Sequence, residues 1–294
     1  METGGLPSWF WGGAAFVFGA FWGSFANVCI FRVPWGISIV WPSSRCPTCL
    51  SPIRAVDNVP VASWVLLGAR CRDCGDRIAA RYPLVELLVA FLSLALFMRS
   101  PSLSAYAVWF AFGASLVVLS FIDIDHWLLP DAITYPGIAA GLLFSLLQPV
   151  TPSGVASSPL DSLLGAALGG GLLWVVALAA RLATGRLGFG GGDVKLMAMV
   201  GAFLGYKAIL PVVFLSAAQG SVIGIALLFA RRREPEAAGQ RDGPIGKTGP
   251  GDEDDFVPTR HHMPFGPFVA LGALEYLFFG PAIFDAITGL ILKR

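Results

Sequence analysis

The sequence predicts an all-α polytopic membrane protein of about eight transmembrane helices, with a small cytosolic zinc-knuckle domain inserted after the first. Three observations predict it. The 294 residues are 55% hydrophobic and 13% charged, about half the roughly 25% charge of soluble domains, and mean hydropathy is +0.71. Apolar runs close to the ~20 residues that cross a bilayer recur along the chain. Between the first run and the second stand two Cys-x-x-Cys pairs. A net charge of +1 gives no footprint for nucleic acid. Met1 and Glu2 precede the first run without a basic stretch, so no cleavable signal is expected.

The first run, Trp9 to Phe31, makes residues 1–31 the first transmembrane segment. Asn27 within it fits either an interhelical hydrogen bond or a functional role, and Cys29 reads as a small buried residue. From 32 to 83 the composition changes to seven arginines, prolines and the cysteine pairs. Cys46-Pro47-Thr48-Cys49 and Cys71-Arg72-Asp73-Cys74 are separated by 21 residues. Four thiolates on two such turns suit a closed tetrahedral zinc site, with no open position for catalysis. Reduced or redox-active pairs are the other reading.

Residues 84–294 form the third region. Its apolar runs lie near Leu84–Met98, Leu103–Ile122, Ala132–Leu147, Leu160–Leu182, Val194–Leu210, Val212–Ala230 and Phe265–Leu292. Gly201, Gly205 and Pro211 interrupt the pair from 194 to 230. Residues 231–262 are polar, charged and rich in Gly and Pro, which predicts a flexible cytosolic loop. With the N-terminus outside, alternate loops hold sixteen basic residues against four on the other side, a positive-inside pattern that puts the cysteines in the cytosol.

Two acids carry the functional reading. Asp193 follows Gly188-Phe189-Gly190-Gly191-Gly192 and opens an apolar run, and Asp123 closes another, 70 residues upstream. The glycines permit unusual dihedrals and close backbone approach. A carboxylate at a membrane helix end is costly enough to read as functional, and the orientation places both acids at the cytosolic boundary. Two adjacent carboxyls share one proton across neutral pH, so one activates water while the other polarises a carbonyl. That is aspartyl peptide hydrolysis. The helix ends favour the anion on Asp193 and the proton on Asp123. Lys195 either adds to this bias or serves as a basic anchor. Asp125 and Asp131 share the first motif, while Glu275 and Asp285 read as packed or snorkelling polar residues. No His-Glu-x-x-His occurs, which removes the common zinc-protease motif.

These residues resemble the bacterial type IV prepilin peptidases, bifunctional leader peptidase/N-methyltransferases of the GxGD class of membrane aspartyl proteases. The resemblance is carried by Gly23-Ser24-Phe25 with Asn27-Val28, Arg32 and Pro34; by the cysteine quartet; and by Asn58-Val59-Pro60-Val61-Ala62-Ser63-Trp64. It continues through Arg81-Tyr82-Pro83-Leu84-Val85-Glu86-Leu87, Ile122-Asp123-Ile124-Asp125-His126, Leu129-Pro130-Asp131, Gly190-Gly191-Gly192-Asp193-Val194-Lys195 and Pro264-Phe265-Gly266-Pro267. It implies Asp123 and Asp193 as the catalytic dyad, supported by Gly190, Gly192, Lys195 and Asp125. It also implies cleavage of a basic leader from prepilins or pseudopilins after a glycine, at the cytosolic face of the bacterial inner membrane. Methylation of the new N-terminus from S-adenosylmethionine would follow, in the portion holding the cysteines. Glu86 is a candidate contributor there, or an ordinary helix-end acid paired with Arg81. Leu187, where an acid is common, and the long 231–262 loop depart from the family pattern. A proton-coupled transporter using the same acids as a relay is the alternative, and the absence of an inverted repeat weighs against it.

Overall fold

The computed structural model describes residues 7–147, 158–184, 190–231 and 263–292. Every ordered element among them is helical, apart from two isolated bridges in the cysteine segment. The 231–262 loop beyond Arg231, the two histidines at 261 and 262, and Leu187-Gly188-Phe189 lie outside the described residues.

All eight apolar runs become helices: α1 Ser8–Arg32, α3 Arg81–Arg99, α4 Leu103–His126, α5 Asp131–Ser145, α6 Pro159–Thr184, α7 Gly191–Leu204, α8 Ile209–Arg231 and α9 Gly266–Leu292. A five-residue helix, α2 (Ala62–Leu66), lies in the cysteine segment. Six of the eight are long and apolar enough to cross a membrane. The other two, α5 and α7, have 15 and 14 residues, so α7 is only about 21 Å long against a hydrocarbon core of about 30 Å. The apolar run in the sequence continues to residue 210. Gly205, at φ 79°, ends the helix first and turns the chain into a short 3₁₀ piece, Tyr206–Ala208.

The chain divides into two compact units, Met1–Val118 and Leu119–Arg294. In the first, α1 packs along α3 with backbone against backbone. A Cβ added at Gly19 would stand 2.5 Å from Ser93 Cβ, and one at Gly23 would stand 2.5 Å from Glu86 Cα. Small residues four apart allow this approach, where dispersion rather than water exclusion drives association. Ser93 Oγ donates to the Ala15 carbonyl at 2.6 Å and pairs with Tyr106 at 2.7 Å, so the polar groups at this seam are satisfied.

In the second unit α7 lies against both α6 and α5, and its residues 199–204 are all buried. Gly165 on α6 and Gly201 on α7 meet so closely that a Cβ on either would strike the other's carbonyl oxygen. Ser162 Oγ donates to the Ala202 carbonyl beside them. Gly137 and Gly141 of α5 admit Met199 and Ala202 from the opposite side. α8 and α9 form the remaining pair, bridged by Gln219 Nε2 donating to Glu275 Oε2 at 2.7 Å.

Candidate active site

The second unit brings the two acids to one place. α4 ends at His126, and the amide of Trp127, at φ 57°, closes the helix by donating to the Asp123 carbonyl at 2.9 Å. Asp123 therefore sits in the last turn, buried to 6% exposure. Asp193 sits in the first turn of α7, its amide donating to the carbonyl of the cap residue Gly190 at 3.1 Å. Its carboxyl lies within electrostatic reach of that of Asp123. A second helix start completes the site. The Gly266 amide opening α9 donates to Asp123 Oδ2 at 2.9 Å, and a Cβ on Gly266 would stand 2.6 Å from that oxygen.

Leu129, buried in the turn between α4 and α5, fills the space between these pieces. Its side chain lies 2.9 Å from where a Gly192 Cβ would be and 3.4 Å from where a Gly266 Cβ would be. The three glycines before Asp193 therefore differ in role. None has a positive φ, so the unusual dihedrals expected of them are not used at residues 190–192. Gly190 is extended at φ −72° and ψ 151°, and nothing lies within 4 Å of a Cβ on Gly191. Close approach is the requirement, and it falls on Gly192.

Lys195 forms an ion pair with Asp131 and stands 5.5 Å over the Tyr135 ring. Both partners belong to α5, so Lys195 ties α7 to its neighbour. The helix-end assignment of the proton omits the Gly266 amide, which gives Asp123 an anion-stabilising contact as well. Asp125 faces outward and is exposed.

The other predicted site residues belong to the first unit. Cys46, Cys49, Cys71 and Cys74 converge, with every Sγ within 4.8 Å of the others. Cys46 to Cys74 is 3.9 Å and Cys49 to Cys71 is 4.0 Å. Tetrahedral zinc with bonds of about 2.3 Å separates its sulfurs by about 3.8 Å, so the donor set fits that ion. Two matching turns build it. Leu50 and Gly75, both at positive φ, return their amides to the carbonyls of Cys46 and Cys71 at 2.9 and 3.0 Å. The bridges Arg45 to Pro52 and Arg70 to Arg77 close the two loops. Hydrogen bonds from the Ser51 side chain and backbone bring the Cys49 thiol down to about 6, whereas the Cys74 thiol, despite a hydrogen bond from the Asp76 backbone, is pushed up to about 12 by desolvation and the neighbouring thiols; a metal-binding cysteine must be ionised. Glu86, near the start of α3, accepts the Val61 amide at 2.7 Å and a hydrogen bond from Ser24.

Residues 17–100 match the model of the bacterial peptidase A24 N-terminal domain, and residues 110–225 match that of the type IV leader peptidase family. A prepilin leader peptidase/N-methyltransferase of Myxococcus xanthus strain DK1622 is 36% identical over 90% of this chain and 89% of its own length. The chain belongs to the type IV leader peptidase family. Proteins of the same printed name from Aeromonas salmonicida strain A449 and Burkholderia pseudomallei strain 1026b are 36% and 33% identical. They cover 95% and 94% of this chain, and 94% and 87% of their own lengths. No solved structure matches significantly.

In this family member, residue type and position along the apolar runs pointed to both acids and the cysteines. The Gly266 amide and the Leu129 wedge were not derivable that way, because each acts through the fold. Their only trace in the sequence is that Leu129-Pro130-Asp131 and Pro264-Phe265-Gly266-Pro267 stand among the blocks that carry the family resemblance.

Proposed function

We propose that this chain cleaves the leader peptide from prepilin-type substrates with Asp123 and Asp193, and then N-methylates the amine that cleavage uncovers. The observation that carries the dyad assignment is the meeting of these acids within the matched peptidase region, one buried under the Gly266 amide and the other in electrostatic reach of it. One carboxyl enters the reaction ionised and takes a proton from a water molecule. The other is protonated and hydrogen-bonds to the scissile carbonyl as the hydroxide adds. Return of a proton to the leaving amine completes consumption of one water per bond cut. Gly266 fixes the angle of Asp123. Lys195 and Asp131 fix the height of α7, and so the position of Asp193.

Zinc would be held by Cys46, Cys49, Cys71 and Cys74, where it shapes the 32–83 segment without an open coordination position. S-adenosylmethionine would supply the methyl group. The division into a first helix (1–31), a cysteine domain (32–83) and a peptidase region (84–294) follows from this reading. So does a site facing the cytosol from the bacterial inner membrane, supported by the sixteen-to-four split of basic residues.

The test is incubation of purified protein with a prepilin. Asp123→Asn and Asp193→Asn are each expected to lower the cleavage rate by about 10²–10⁴-fold, the span of general acid–base contributions. Cleavage at the wild-type rate in either variant removes that residue from the dyad.

A further inference from the structure

The first unit contains a feature that peptide cleavage does not use. Val61 stands at φ 60° and ψ −49°, and the Ala62 amide turns back to the Pro60 carbonyl. This is a γ-turn of the rare, strained kind. For a β-branched residue such a conformation is strained and persists only where its surroundings impose it. Here they do. The Val61 amide is held by Glu86 at 2.7 Å, and the buried Ser63 Oγ accepts the Val59 amide and donates to the Val56 carbonyl, both at 3.0 Å. Glu86 is in turn locked to α1, since Gly23 touches its main chain and Ser24 bonds its carboxyl.

The strained turn presents the 3₁₀ segment Ala55–Asn58 across from one face of α1. Between them lies a cavity of about 290 Å³ lined by Phe21, Ser24, Phe25, Val28, Asn58 and Val59, among others. That volume falls just below the roughly 300–1,000 Å³ of small-molecule clefts, and the cleft is open on one side. Its lining combines two aromatic rings with the hydroxyl of Ser24 and the amide of Asn58. A carboxylate stands one bond behind Ser24. An acyl chain would have no use for these polar groups. A flat heteroaromatic ring with hydrogen-bonding edges, attached to a cation, would use all of them: the rings attract the cation and cover the heterocycle, and Ser24 and Asn58 meet the polar edges.

We infer that this cleft, between the Phe21–Val28 face of α1 and the Ala55–Val59 turn, seats the adenosyl sulfonium of the methyl donor, with Glu86 as a positioning residue behind Ser24. The inference rests on the methyltransferase reading above.

Ultraviolet labelling of the full-length, zinc-loaded protein with radiolabelled S-adenosylmethionine, followed by peptide mapping, tests it without any variant. Label within residues 21–28 or 55–59 supports the cleft; label found only elsewhere overturns it. The mass of the cleaved product separates the two levels of failure. A methylated product with label elsewhere sinks the cleft alone, and an unmethylated product at saturating donor sinks the methyltransferase reading with it. Asn58→Leu should raise the Kd for S-adenosylhomocysteine about tenfold or more, with zinc content and melting temperature held; a Kd within about twofold of wild type contradicts the assignment. Glu86→Gln should weaken the sulfonium-bearing donor more than the neutral thioether product. Equal weakening of both would show that Glu86 acts only by holding the turn.

Discussion

The main-chain amide of Gly266 donates to Oδ2 of Asp123 across 143 residues of sequence. The first turn of α9 therefore sets the orientation of an acid that closes α4, and no side chain larger than hydrogen fits at the contact. Gly266→Ala places a methyl 2.6 Å from that oxygen and must swing the carboxyl or the helix. A displacement near 1 Å at a reacting group costs about 10²-fold. Prepilin cleavage by Gly266→Ala should fall by about that factor while the protein still inserts and melts cooperatively. A wild-type rate would show that the amide contact does not position Asp123.

Gly192 and Gly191 make a controlled comparison, being adjacent with opposite surroundings. Gly192→Ala meets Leu129 Cβ at 2.9 Å, whereas Gly191→Ala meets nothing within 4 Å. The first should lose cleavage, and the second should stay within about twofold of wild type, as substitutions free of contacts do. Shortening the wedge in the double variant Gly192→Ala/Leu129→Ala should recover part of the loss. No recovery in kcat would locate the defect outside this packing contact.

Loss of the four-cysteine cluster, which is proposed to hold zinc, addresses that segment separately from the two acids. Cys46→Ser/Cys71→Ser is expected to release the metal, measured by elemental analysis, and to raise hydrogen exchange over residues 44–78. Because metal binding supplies folding free energy in such small sites, methylation of the product should decline more than cleavage. Equal decline of both would mean that the segment also supports the peptidase.

The same segment carries a pH-dependent clamp. Arg72 donates to both oxygens of Asp57, with contacts from 2.6 to 3.1 Å, and holds the Asp57 carboxyl below its ordinary range, chiefly through those hydrogen bonds. A lowered folded value means that the contribution is complete above the ordinary aspartate range and disappears as pH falls through the folded value. Asp57→Asn should therefore lower the melting temperature near neutral pH and differ progressively less from wild type as the solution is acidified. A difference that grows on acidification would contradict the ion pair's role.

The helices were legible because each apolar run is bounded by charge, proline or glycine, and all eight runs fold as helices. Length was less legible in one case. Counting apolar residues through Gly205 lengthens α7, although a glycine at φ 79° ends the helix whatever the hydropathy beyond it. Gly19 and Gly23 appear in the sequence as two small residues among many, and only their contact with Ser93 and Glu86 shows that they set the α1–α3 spacing. At the candidate site the acids stood out because charge is conspicuous in apolar sequence. The parts that aim them are a backbone amide and a leucine, types too common to attract notice. Glu86 was visible as an acid, but its partner Val61 was not, because nothing in that residue's chemistry predicts a left-handed backbone.

At Gly165 and Gly201 the main chains of α6 and α7 abut with no side chain interposed. Such a joint leaves nothing to trim or enlarge, so the post bearing Asp193 has a fixed height. Adjustment of reach toward a bulkier or slimmer substrate is therefore expected on the other side, where Asp123 accepts the Gly266 amide of a different helix.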